Sequence, residues 1–261
     1  MKTDKKELGI SIIKSAVGEI SLIGSALNEM IDYRSKIKQK RLNKFIEILS
    51  EYFYKIPNIN IETIDSENFG DIFEYTINNV VKTGSEKKLH HFKNIIINQI
   101  INPTKKIELV EIYLELISKL TEEEIIILIN HRIFNNEYDL KRTQFKTIKS
   151  EYLNSNRNIK SPIEEIHKFK RINPNIDIEE YLEKTEEYFK ELEHFRKSKY
   201  YNIEEKDFMF YKQSLFSKGL LKDWGVGRIG NLPFQLMSIT EFGEEFINFI
   251  ISSENTVGNT G

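Results

Sequence analysis

Phe208-Met-Phe-Tyr-Lys-Gln-Ser-Leu-Phe-Ser-Lys218, Gly219, Leu220-Leu221 and, past a Gly-rich turn, Phe234-Gln-Leu-Met-Ser-Ile239 and Thr240-Glu-Phe-Gly-Glu-Glu-Phe-Ile-Asn-Phe-Ile250 read as helix, strand, loop, strand, helix. Gly219 suits the left-handed position that ends a helix, so a strand can begin at Leu220. Thr240 is placed to cap the last helix, and Phe242, Phe246 and Phe249 set three rings on or near one face. In the first helix, Phe208, Tyr211 and Leu215, with Met209, Phe216 and Leu220, form a broad apolar face, and Lys206, Lys212, Gln213 and Lys218 are expected outward. The order is that of a winged helix, with residues 225–233 as the wing, and Trp224 and Arg228 available to a partner. Its opening helix is either 121–132, which makes 133–205 an insertion, or 178–199, which makes the module compact.

Outward from this module, the chain reads as mainly helical: a helical bundle with a long N-terminal helix. Residues 67–132 form a helical core, with Phe69, Ile72, Phe73, Thr76, Ile77 and Val80 on one face, a break at Gly84 and a new helix capped by Ser85. Thr121-Glu-Glu-Glu124 supplies a capping box, and Ile125 to Ile129 behind it predict a helix buried all round. Residues 133–205 are a connector and a charged helix. In its first part, 135–161, apolar density drops, which predicts an exposed link with one short helix. Residues 206–251 are the winged-helix-like module, and the small, polar tail 252–261 is expected to be disordered.

The N-terminal region, 1–66, has its own character. Ile13, Val17, Ile20, Gly24, Leu27 and Ile31 repeat at steps of four and three, a coiled-coil-like seam. Ser11, Ser15, Gly18 and Ser25 would admit a close neighbour. The segment approaches the roughly 20 residues of a membrane span, yet Lys14 and Glu19 interrupt it. Arg34, Lys36, Lys38, Lys40, Arg41 and Lys44 follow, opposed by Asp32 alone. Such a run is a solvated helix face, an anionic-membrane contact or a phosphate contact. Pro57 ends the helix.

Over 261 residues, Lys+Arg 38 against Asp+Glu 40 cancel, so no global field favours nucleic acid or lipid. The absence of cysteine removes thiolate chemistry, disulfides and Cys-ligated zinc and fits the cytoplasm. Met1-Lys-Thr-Asp-Lys-Lys-Glu runs straight into the first helix, so the chain is not expected to be secreted.

Motifs with chemistry in them fail on context. Gly225-Val-Gly-Arg-Ile-Gly230 has dinucleotide-loop spacing, but Pro233 and a strand follow where a helix is required. Glu164-x-x-His167 and Glu191-x-x-His194 have di-iron spacing, yet a hairpin at Pro174 separates the two imidazoles too far to share a metal. His90-His91 reads as an exposed pair. Hence no catalytic, cofactor or metal residue is assigned, and a non-enzymatic protein is expected.

The apolar N-terminal helix with its basic exit, the helical middle and the end Gly219-Leu-Leu…Ile239-Thr-Glu-Phe-Gly-Glu-Glu-Phe resemble the abortive-infection alpha type of small bacterial proteins. The resemblance implies antiviral defence and maps no functional residue. The expected function is a cytoplasmic interaction protein, peripheral to the inner membrane through its N-terminal helix, with a protein partner or a second copy of itself. A winged-helix DNA-binding regulator is the alternative.

Overall fold

The computed structural model describes residues 11, 29–53, 61–103, 106–157, 163–225 and 233–251. Most of the apolar segment 8–30, Pro57, Pro162, the wing residues 226–232 with Arg228, and the tail lie outside the described residues. The chain is mainly helical, and the described residues hold one two-stranded antiparallel sheet. Two compact units form, Met1–Glu122 with Glu245–Gly261, and Glu123–Glu244.

The first unit contains α1 (Glu29–Phe53), α2 (Ile61–Ile64), α3 (Glu67–Val80), α4 (Glu86–Ile101) and α5 (Ile107–Lys119), and it receives the later part of α11 (Glu241–Ile251). In α1 the buried side chains are Leu42, Phe45, Leu49, Tyr52 and Phe53, at the three-and-four spacing of one helical face. Helix α4 is the central one. Residues 92–97 are buried without a gap, including Lys93, whose ammonium lies 4.4 Å over the Tyr52 ring. Ser66 and Ser85 accept the backbone N–H of Phe69 and Lys88, so both act as N-caps. In α11, Phe246, Ile247 and Ile250 are buried, and Tyr113 packs on Phe246 and Phe249 at 5.6 and 5.1 Å. The last carbonyls of α11 have no partners within the helix. Asn98 Nδ2 donates to Phe249 O at 2.6 Å and Asn94 Nδ2 to Ile250 O at 2.5 Å.

The second unit runs through α6 (Glu122–Phe134), a π-helical turn (Asn135–Asp139), α7 (Leu140–Asn156), α8 (Glu164–Ile172), α9 (Ile178–His194), a 3₁₀ turn (Ser198–Tyr201), α10 (Glu205–Ser217), β1 (Leu221–Asp223) and β2 (Met237–Ile239). The expected exposed link is therefore the 17-residue helix α7. Its low apolar density conceals a seam at steps of seven, three and four, from Tyr138 through Phe145 and Ile148 to Tyr152, which packs against Phe169, Phe189 and Leu192. The expected all-round burial of α6 is also corrected, because Ile126 and Ile133 are exposed. Glu151 of α7 reaches α8, where its carboxylate accepts the N–H of Glu165 at 3.3 Å and of Ile166 at 3.0 Å. It is a cap supplied by another helix.

Strands β1 and β2 pair Leu221 with Ile239, Lys222 with Ser238 and Asp223 with Met237. Gly219 has φ +71°, as its place at the helix end predicts. Gly243 is needed for space: a Cβ there would lie 2.4 Å from Leu220 O and 2.8 Å from Ile239 Cγ1. Gly243→Ala is expected to destabilise the protein by about 1–3 kcal/mol through overpacking. Gly70→Ala, in α3 with nothing within 4 Å, is expected to stabilise it by about 0.5–1 kcal/mol. Urea unfolding of the two variants checks both signs. By the same measurement, Glu151→Ala should cost about 1 kcal/mol, the scale of a lost N-cap.

Candidate functional site

Thr240 organises the hairpin. Its hydroxyl donates to Gly219 O at 2.7 Å and accepts Gly243 N–H at 2.9 Å, while its own N–H reaches Leu220 O at 3.0 Å. This is the helix cap expected from the sequence. Asp223 braces the start of the loop, each carboxylate oxygen accepting one backbone N–H at 2.7 Å, from Gly225 and from Phe234. Phe234 takes φ +62°, unusual for a residue with a bulky side chain. Trp224 Nε1 donates to the buried Ser238 Oγ at 2.5 Å, yet its ring remains 56 % exposed.

The α6 side of the unit meets this hairpin through polar contacts. Asn135 Oδ1 accepts Ile239 N–H at 3.3 Å, Arg132 pairs with Glu244 at 2.9 Å, and Lys218 with the buried Glu124 at 3.5 Å. Behind them lies a buried basic group that the sequence reading missed. Lys212, expected outward, is only 3 % exposed. The helical period requires this: position 212 is four after Phe208 and three before Leu215, so all three share the buried stripe. Its ammonium lies 4.7 Å over the Phe208 ring. Burial first, then the nearby Arg196, push its pKa down to about 8 against the pull of Glu205 and Asp223. Glu205 also bonds Ser198 Oγ, and Asp223 is spent on the loop. His131 is buried beside this group, its Nδ1 2.8 Å from Ile127 O, and burial foremost holds its pKa down at about 4. Arg196 donates to Gln235 O at 2.9 Å and covers the Phe134 ring at 5.0 Å.

The remaining residues of the expected contact set scatter. Lys218 also bonds Ser214 Oγ, Lys206 pairs with Glu204 at 2.8 Å, and Gln213 is exposed. Phe216, expected in the apolar face, is 42 % exposed, one residue and thus about 100° off the buried stripe, and meets Phe234 edge to face at 5.6 Å. Phe210 is 64 % exposed. Among the described residues, α10 and the hairpin therefore expose three aromatic rings, Phe210, Phe216 and Trp224, the last with the Lys222 ammonium 4.8 Å over it.

The basic run of α1 divides. Arg41 Nη1 donates to Val81 O at 3.0 Å, closing the end of α3 as a cation at a helix C-terminus can, and Lys44 pairs with Glu86 at 2.8 Å. Arg34, Lys36, Lys38 and Lys40 are exposed. His91 is not an exposed pair with His90: it is half-buried with Nδ1 3.4 Å from Ile250 O, and burial foremost lowers its pKa. Both His167 and His194 are exposed, and among the described residues no group of three or more His, Asp or Glu is arranged to hold a metal. Among those residues no helix is long and apolar enough to cross a membrane.

No protein-family model, curated protein or solved structure matches the chain.

The buried bases set a pH response. Lys212 has a folded pKa of about 8 against an ordinary 10.5, so the unfolded chain holds more protons between those values and stability rises as pH climbs through that window. His131, at about 4 against 6.5, acts with the same sign: stability falls as pH drops from 6.5 towards 4. Lys212→Met is expected to flatten the alkaline rise and leave the acid limb, read from urea midpoints across pH.

Proposed function

We propose that this chain is a non-enzymatic interaction protein whose C-terminal winged-helix-like module docks a protein partner through Phe210, Phe216 and Trp224. The observation that carries the reading is the exposure of three large rings on one helix and its adjoining hairpin, the residue type that dominates the centres of protein interfaces. The winged-helix reading draws on the order α10, β1, β2, α11 and on the polar links from α6 to the hairpin, which favour α6 as the opening helix with an inserted segment after it. Burial of Lys212 and the pairing of Lys218 with the buried Glu124 take two cations from the helix that would enter a DNA groove, which weighs against a phosphate-reading role. The resemblance to abortive-infection proteins supplies the setting of the proposal, a bacterial response to phage. The exposed Arg34, Lys38 and Lys40 support an anionic membrane surface as the place where the N-terminal helix acts.

A photo-crosslinking residue at position 210 in host cells is expected to yield a discrete protein adduct, whether another protein or a second copy, and none when placed at the exposed Glu183. Adducts with DNA in place of protein would overturn the assignment. Phe210→Ala and Trp224→Ala should each weaken the captured complex by about tenfold or more. For the membrane part, co-sedimentation with phosphatidylserine vesicles should be lost on reversing Arg34, Lys38 and Lys40 to Glu. Equal binding before and after would remove it.

A further inference from the structure

Between α9 and α10 the chain turns sharply, and beside that turn is a hollow of about 430 Å³ lined by His194, Lys197, Lys199 and Tyr200. The volume falls in the range of small-molecule sites, roughly 300–1,000 Å³. Among the described residues that line it, His194, Lys197 and Lys199 carry basic groups within six positions of one another. The carboxylates that flank it in sequence, Glu193, Glu204 and Glu205, each have a partner, that of Glu205 being Ser198, between the two lysines. Glu193 accepts from Tyr138 Oη at 3.0 Å, Glu204 pairs with Lys206 at 2.8 Å, and Glu205 accepts from Ser198 Oγ at 2.6 Å. Among the described residues neither Lys197 nor Lys199 has an ion-pair partner. Residues 194–199 include Arg196, Lys197 and Lys199 and no carboxylate, a short positive run in a chain whose net charge is −2.

The end of α9 accounts for part of it, because a cation there meets the negative end of the helix dipole. That explanation reaches His194 and stops, since Lys197 and Lys199 lie past the helix, at the 3₁₀ turn. Tyr200 adds a different element. Its ring is held by Phe195 and Tyr201, at 5.0 and 5.1 Å and nearly perpendicular to each, and it is still 51 % exposed. Tyr201 in turn is fixed by a hydrogen bond to Phe195 O at 2.7 Å and by stacking on Phe208. The exposed ring thus stands on a rigid aromatic base beside two lysines.

We propose that this hollow binds a nucleoside polyphosphate, with Lys197, Lys199 and His194 on the phosphates and Tyr200 as a platform for the base. A phosphate chain meets several cations at once with charge-assisted hydrogen bonds. A planar base uses the ring face that a single carboxylate or inorganic phosphate would leave idle. The imidazole can donate to a phosphate oxygen in its neutral or charged form.

Calorimetric titration of the full chain at low salt, with ATP, pyrophosphate and adenosine as separate probes, tests the site. ATP is expected to bind about tenfold more tightly than pyrophosphate, the scale of one base–aromatic stack, and adenosine alone not to saturate. Lys197→Ala combined with Lys199→Ala should cost ATP at least about tenfold, the loss of two charge-assisted contacts. Tyr200→Ala should bring ATP down to the pyrophosphate level while leaving pyrophosphate unchanged. Lys197 and Lys199 are exposed and, among the described residues, have no ion-pair partner, so the lysine variant is expected to keep its fold, and its thermal midpoint verifies this. No heat with ATP at millimolar concentration, or ATP affinity unchanged in the lysine variant, would overturn the site. Equal affinity for ATP and pyrophosphate in the unaltered chain would overturn the assignment to a nucleotide.

Discussion

A single contact too close for any side chain decides the geometry of the C-terminal module. The backbone of α11 passes Leu220 O so closely that a methyl group at 243 would force one of the two to shift. From that approach the other features follow. Thr240 sits where its hydroxyl can bridge Gly219 O and Gly243 N–H. The register that pairs Leu221 with Ile239 is fixed by the Thr240 bond to Leu220 just beyond it. With so short a sheet, three residues a strand, these terminal bonds contribute a large share of what specifies the pairing.

Charge inside the second unit is the other governing feature. A lysine, a histidine and an arginine lie close enough to perturb one another: Lys212 rests on the Phe208 ring, His131 meets Ile127 O, and Arg196 donates to Gln235 O over the Phe134 ring. Holding such groups away from water is costly. Together with the exposed rings on α10, they make the region around the hairpin the most chemically distinctive part of the chain.

Much of this was readable beforehand and some was not, for identifiable reasons. The order of helix and strand, the left-handed Gly219 and the Thr240 cap depend on local residue chemistry, and local chemistry is printed in the sequence. Lys212 was legible too: its phase relative to Phe208 and Leu215 places it inside, but its charge invited the opposite reading. Helix α7 was obscured because its seam uses few apolar residues among many lysines and threonines. The central position of α4 was hidden by Lys93 and Asn94, polar residues whose burial depends on a ring and a carbonyl far along the chain. The hollow at Tyr200 had no signal in spacing at all, since it arises where a turn brings loop residues together.

The helix α11 has a consequence for how the polypeptide is made. Its later residues complete the first unit, where Asn94 and Asn98 hold its final carbonyls and Tyr113 receives its rings. The ribosome delivers residues 123–244 before that helix exists. The helices of residues 29–119 must therefore wait, with those amides and part of their apolar surface uncovered, until residues 245–251 have been made. The unit begun earlier is sealed only after the whole of the one that interrupts it has been made.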